Sequence, residues 1–201
     1  MTIFVLVVLF FSIMIHEIAH GSMALSLGDR TAKEAGRLTL NPLKHIDLFG
    51  TILLPLVLLV VTAGHGPIFG WAKPVPVNPS NLREGKMGIL KVSLAGSATN
   101  FLIAVFFSLA VRFLVLPPGL EYFFGLIALY NFAWGIFNLL PLPPLDGSWI
   151  LFTFLPQRFS QLKIALQQYG FYLLLIFILF GLNFVFDLAA KLFGLLAGQA
   201  V

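Results

Sequence analysis

The sequence HEIAH at positions 16–20 concentrates the groups best suited to chemistry. On a helix, residues four apart share a face, so His16 and His20 can grip one metal ion through their imidazole nitrogens. Glu17 stands beside the first of them. A carboxylate there can take a proton from a water that the ion has acidified. Zinc suits this donor set, and it brings the pKa of such a water to about 7. Chance is a weak rival, since residue frequencies place an accidental HExxH at roughly two in a thousand chains like this one. The competing reading is a structural His–Glu cluster between helices. Position argues against it. At a rise of 1.5 Å per residue, His16 lies about 21 Å along a helix begun at Thr2, about 10 Å short of the far side of a 30 Å hydrocarbon layer. Two imidazoles and a carboxylate are costly there without a purpose.

A catalytic zinc takes three protein ligands and keeps one position open. Glu121 and Asp187 lie near predicted helix ends, and His45 and Asp47 form a small polar cluster in a basic connection. Asp146 fits best. It follows a long apolar run, in Leu-Asp-Gly, directly after Pro141, Pro143 and Pro144. Those prolines remove N–H groups and end a helix. Non-helical backbone at membrane depth is tolerated where it lines a cavity enclosed by protein. Gly147 leaves room for a second backbone. Taken alone, Asp146 reads better as a turn or N-cap. Beside His16 and His20 it reads as the third ligand.

The elements that must position these residues are membrane helices. Of 201 residues, 59% are hydrophobic and only 10% charged, with a mean hydropathy of +0.99. A soluble domain carries roughly 25% charge, so most side chains must face lipid or other helices. The absence of cysteine excludes disulfides and thiolate metal sites. The net charge of +4 is modest and reports loop orientation, not nucleic-acid binding. Apolar segments are predicted at about 2–27, 48–62, 89–116, 121–140 and 169–196. The first is read as a retained helix, because it lacks the basic start of a signal peptide. The fold class expected is an all-α membrane bundle of about 4–6 transmembrane helices. It includes a re-entrant or short β-like membrane-associated segment, and residues 1–201 form a single domain. Segment 48–62 is short, contains Pro55 and is flanked by basic stretches on both sides. It is expected to enter and leave on the cytoplasmic side, or to lie shallowly against the protein, with 28–47, 73–91 and 156–163 cytoplasmic. If His16 and Asp146 meet, their helices must run in the same direction, which an odd number of crossings between them requires.

Three stretches carry a resemblance to a known family: HEIAH in the first helix, AGSATN at 95–100, and NLLPLPPLDG at 138–147. Together they resemble the signatures of site-2 proteases (family M50), over nearly the whole chain. The second commonly reads Ala-Gly-Pro, and Ser97 replaces that proline here. The resemblance implies an intramembrane zinc metalloprotease in minimal form, without PDZ or CBS modules. It implies one Zn2+ held by His16, His20 and Asp146, with Glu17 as general base. It also implies that Asn138 holds substrate or the developing oxyanion. Read from the residues alone, Asn138 is equally a helix-to-helix hydrogen bond. Asn100, beside Gly96 and Ser97, reads as helix packing. The implied partners are a transmembrane protein substrate, the lipid bilayer and a regulatory membrane protein, in a prokaryotic cell membrane with the active site nearer the cytoplasmic face. A membrane zinc transporter is the alternative function. Finally, Lys73-Pro74-Val75-Pro76-Val77-Asn78 alternates proline and valine. Extended, it would present the Val75 and Val77 N–H groups along one edge, either as a strand-addition surface for substrate or as a plain polyproline-like loop.

Overall fold

The computed structural model describes residues 2–63 and 72–198. Among the described residues eight α-helices follow one another: α1 Thr2–Ser26, α2 Thr31–Glu34, α3 Leu54–Val61, α4 Gly85–Phe113, α5 Pro118–Asn138, α6 Asp146–Phe154, α7 Ser160–Phe180 and α8 Leu182–Ala197. No strand occurs among the described residues, and 72–78 is extended without a β partner. Four helical stretches are long and apolar enough to cross a membrane: Ile3–Ser26, Gly85–Phe113, Gly119–Asn138 and Gln157–Phe180. The chain is an integral membrane protein.

The centre of the bundle is α4, with α1 and α5 packed on it. Small residues make this close approach possible, as they do where lipid offers no hydrophobic drive between helices. Ala104, Ala133, Ala189 and Val185 are buried together with Phe132 and Phe137. Both neighbours run antiparallel to α4. Along α1, Ser12 meets Asn100 and His20 meets Val92. Along α5, Phe132 meets Phe101 and Phe124 meets Phe107. Helices α1 and α5 are therefore parallel, and their C-terminal ends lie at the same end of the bundle.

The fifth apolar segment, expected as one helix over 169–196, is broken at Gly181. The residue before it, Phe180, ends α7, and α8 begins at Leu182. A Cβ at Gly181 would come within 2.5 Å of the Phe177 ring, so only glycine fits the bend. The path across the bundle is nonetheless continuous. Gly170 faces Pro143, Phe177 faces Phe137, Phe186 faces Tyr130 and Phe193 faces Gly125. The track ends where Arg112, at the far end of α4, reaches the Leu196 carbonyl.

Residues 48–61 form a single short rod, π-helical over Leu48–Leu53 and α-helical through α3. At 1.5 Å per residue it is roughly 21 Å long, short of a full hydrocarbon layer. Leu48, Phe49, Val60 and Val61 are exposed along it. The chain leaves for this rod at His45 and is back by Lys73, whose N–H donates to the His45 carbonyl at 2.9 Å. Exit and return thus lie side by side at one end of the bundle. Residues 64–71 of the glycine- and proline-rich return path lie outside the described residues.

Candidate metal centre

Helix α1 supplies two imidazoles. His16 and His20 are both buried, with rings 4.5 Å apart and nearly perpendicular. Helix α4 forms the wall they rest on, and it does so through a row of residues four apart: Val92, Gly96 and Asn100. The Val92 carbonyl lies 2.6 Å from His20 Nδ1. The Asn100 Oδ1 lies 2.7 Å from His16 Nδ1. Between them, Gly96 leaves the space the rings occupy, since a Cβ there would stand 2.5 Å from His20 Nε2 and 2.6 Å from His16 Cε1.

Asp146 arrives from the opposite direction. The chain after Asn138 cannot continue as helix, because Pro141, Pro143 and Pro144 withhold N–H groups. It turns back and restarts as α6, whose first residue is Asp146, an acid placed favourably at a helix N-terminus. Gly147 lies directly against the carbonyls of Leu139 and Leu140, with no room for a side chain. This close approach aims Asp146 inward. Its Oδ2 lies 3.0 Å from His16 Nε2 and 3.0 Å from His20 Nε2.

The three groups fit a zinc ion. A carbonyl oxygen only accepts, so each Nδ1 facing one carries the proton of a neutral ring, and each Nε2 keeps a lone pair. Those two lone pairs face each other at 2.9 Å, with a carboxylate oxygen beside them. Asp146 Oδ2 is buried and accepts no hydrogen bond. Three electron-rich atoms converging without a proton between them need a cation. Among the described residues, His16, His20 and Asp146 form the group of metal-capable side chains that meets this demand, their ligand atoms all within 4.8 Å. Two nitrogens and one carboxylate oxygen leave a fourth tetrahedral position open.

A cavity of about 340 Å³ opens on this centre, lined by Glu17, His20 and Asp146 on one side and by Pro74, Val75 and Val77 on the other. Glu17 does not hang free. Its Oε2 accepts the Val75 N–H at 2.8 Å. The expected open edge of the Pro-Val segment is accordingly half occupied, because one of its two N–H groups is spent on the carboxylate.

Two buried polar knots hold this segment against the site. At one end the Arg37 guanidinium donates to the carbonyls of Lys44, Lys73 and Pro74. At the other, Asp29 is fully buried and accepts from Thr31, from the Asn78 N–H at 2.7 Å and from Asn81 Nδ2 at 3.0 Å. Burial pushes the Asp29 carboxyl up, but the donors from Thr31, Asn81 and Asn78 outweigh it and hold its pKa at about 2.

Of the residues singled out in the sequence, His16, Glu17, His20 and Asp146 come together. Asn138 does not join them. It is buried, its Nδ2 donates to the Trp134 carbonyl one turn earlier, and it is not among the residues lining the cavity. His45 is fully buried in the Arg37 knot, with Nε2 at 2.8 Å from the Thr39 carbonyl. Asp47 caps the Leu48–Leu53 helix by accepting the Gly50 N–H. Asn100, expected to pack helices, does so through Ser12 on α1 and Asn131 on α5, and its Oδ1 also meets His16 Nδ1. Its polarity in an apolar helix, one turn past Gly96, was the available signal. Arg37 carried none, since it acts on backbone carbonyls brought together only by folding.

An apolar helical bundle that buries an HExxH pair opposite an aspartate, with the glutamate facing a cavity, defines a membrane-embedded zinc metalloprotease. Comparison with known proteins agrees. The sequence profile of peptidase family M50 matches residues 115–182. The chain is 37% identical over 182 residues to "Putative zinc metalloprotease YwhC" of Bacillus subtilis, covering 86% of this chain and 78% of the relative. It is 30% identical over 171 residues to "Putative zinc metalloprotease Rip2" of Mycolicibacterium smegmatis, covering 84% of this chain and 63% of the relative. No solved structure matches. The chain belongs to peptidase family M50, the site-2 proteases, and is a zinc metalloprotease.

Proposed function

We propose that this chain hydrolyses peptide bonds within or beside transmembrane segments of other membrane proteins. The observation that carries the reading is the convergence of a complete hydrolytic set inside the bundle: His16 and His20 are buried near the C-terminal end of α1, Asp146 lies 3.0 Å from both, and Glu17 lines the same cavity.

Zinc, when bound, supplies a Lewis acid that polarises the scissile carbonyl and makes hydroxide available near neutral pH. The chain's own residues do the rest. His16, His20 and Asp146 hold the ion and leave one position open. Glu17, kept in place by the Val75 N–H, removes a proton from the attacking water and delivers it to the departing amine nitrogen as the C–N bond breaks. A helical substrate hides its carbonyls in i to i−4 hydrogen bonds, so the segment must unwind first. The extended Lys73–Asn78 backbone borders the cavity, and the Val77 N–H offers an unwound chain a place to align. Asn138 can serve as a further clamp if its amide exchanges the Trp134 carbonyl for one on the substrate. The basic connections support an active site nearer the cytoplasmic face, in what we read as a prokaryotic cell membrane.

The test uses the purified chain in liposomes with a reporter transmembrane substrate. Cleavage is expected, abolished by a chelator and restored by zinc. Zinc flux across the liposome without cleavage would instead establish the transporter reading.

A further inference from the structure

Asn131 sits on α5, 1% exposed, and touches neither the cavity nor the three ligands. We propose that it is a positioning residue that fixes which nitrogen of His16 faces the metal. The inference rests on the metal centre described above and extends it by one helix.

A hydrogen-bond chain of fixed polarity runs from α5 to His16. Asn131 Nδ2 lies 2.8 Å from the Ile127 carbonyl. A backbone carbonyl only accepts, so the nitrogen end of the amide must face Ile127 and the oxygen end must face α4. There it meets Asn100 Nδ2 at 2.8 Å, which must donate. The same Asn100 nitrogen also reaches the Ser12 carbonyl at 3.2 Å. Both N–H groups of Asn100 are then committed, and its oxygen is left facing His16 Nδ1 at 2.7 Å. That nitrogen must therefore carry the proton, and Nε2 is presented as a lone pair. Two backbone carbonyls, Ile127 on α5 and Ser12 on α1, anchor the chain. Flipping either amide would set N–H against N–H or oxygen against oxygen among fully buried groups. His20 gets the same result in one step from the Val92 carbonyl. His16 faces a side chain, which could turn, so Asn131, with the shorter of the two bonds to Asn100 Nδ2, joins the Ser12 carbonyl in locking it.

A role in helix packing alone makes the opposite forecast for two variants. Asn131→Leu keeps the volume but removes the acceptor for Asn100. Asn131→Asp keeps an acceptor oxygen but brings an acid into an apolar bundle. Under the proposal, zinc affinity of the full chain in detergent, measured by competition with a chelator, falls about 10- to 100-fold in Asn131→Leu and stays close to wild type in Asn131→Asp. Imidazole 15N shifts of the metal-free protein provide a readout independent of metal binding and activity. Wild type and Asn131→Asp should show His16 as the Nδ1–H tautomer, and Asn131→Leu should show a mixture. Wild-type affinity in Asn131→Leu, or equal weakening in both variants, would overturn the proposal. Failure of the wild-type chain itself to hold zinc would instead remove the metal centre on which it rests.

Discussion

Gly96 sets the separation between α1 and α4 at the point where the imidazoles must fit. Gly96→Ala would put a methyl 2.5 Å from His20 Nε2 and 2.6 Å from His16 Cε1, so both imidazoles would have to shift from their present positions. We expect the variant to insert and fold but to lose zinc affinity by at least about 10-fold, as for a disturbed ligand shell, measured by metal content after dialysis. Glu17 and Asp146 should separate cleanly. Asp146→Ala is expected to lose both activity and most of the metal. Glu17→Gln is expected to retain zinc with activity down by about 10²–10⁴-fold, the usual worth of a positioned base. At this scale the sequence was highly informative. HEIAH and Leu-Asp-Gly name their chemistry through residue type and spacing. The residues that hold the ligands were less legible. Asn100 and Asn131 act across helices, and nothing in local sequence tells an amide that orients a histidine from one that joins two helices.

Among the elements, the extended 72–78 segment shows how distant parts of the chain cooperate. Arg37 grips its first carbonyls, Asp29 grips the Asn78 N–H, and the Val75 N–H between them meets Glu17. Arg37→Lys keeps the charge but loses the fork that serves three carbonyls. We expect a clear loss of kcat at unchanged zinc content. Undiminished kcat would show that Glu17 needs no help from this segment. The Asp29 knot makes a prediction about acid stability. Its folded pKa of about 2 lies below the ordinary 3.8, so its stabilising effect is present above about pH 4 and is lost as pH falls through 2. The melting temperature should fall over that window, and Asp29→Asn should show a shallower fall. The alternation of proline and valine signalled a segment that is neither helix nor strand, as 72–78 proves to be. It did not show that half of the Val75–Val77 edge is already bonded to the catalytic carboxylate. The break at Gly181 was equally hidden, since the apolar pattern of 169–196 runs through it without interruption.

For the whole molecule, α1 and α5 run parallel, and among the described residues α4 is the one helix between them long and apolar enough to span, while His45 and Lys73, on either side of the Leu48–Val61 rod, lie together at one end of the bundle. This much could be reasoned from the sequence, because the need for His16 and Asp146 to meet constrains the number of crossings. Single cysteines decide the matter in a chain with none of its own. Arg37 is buried and unsuitable, whereas Lys33 and Lys86 are exposed. Cysteines at both positions should react with an impermeant reagent only from the cytoplasmic side, and labelling of one from each side would refute the arrangement. The most direct test of the central claim is to map the cut. The wild-type chain, loaded with zinc in liposomes, is incubated with a single-span substrate, and the products are identified by mass spectrometry beside those of equally loaded Glu17→Gln. The account predicts a new terminus inside or at the edge of the substrate's transmembrane segment for wild type, and none for the variant. The same products from Glu17→Gln, or cleavage confined to soluble loops, would contradict it.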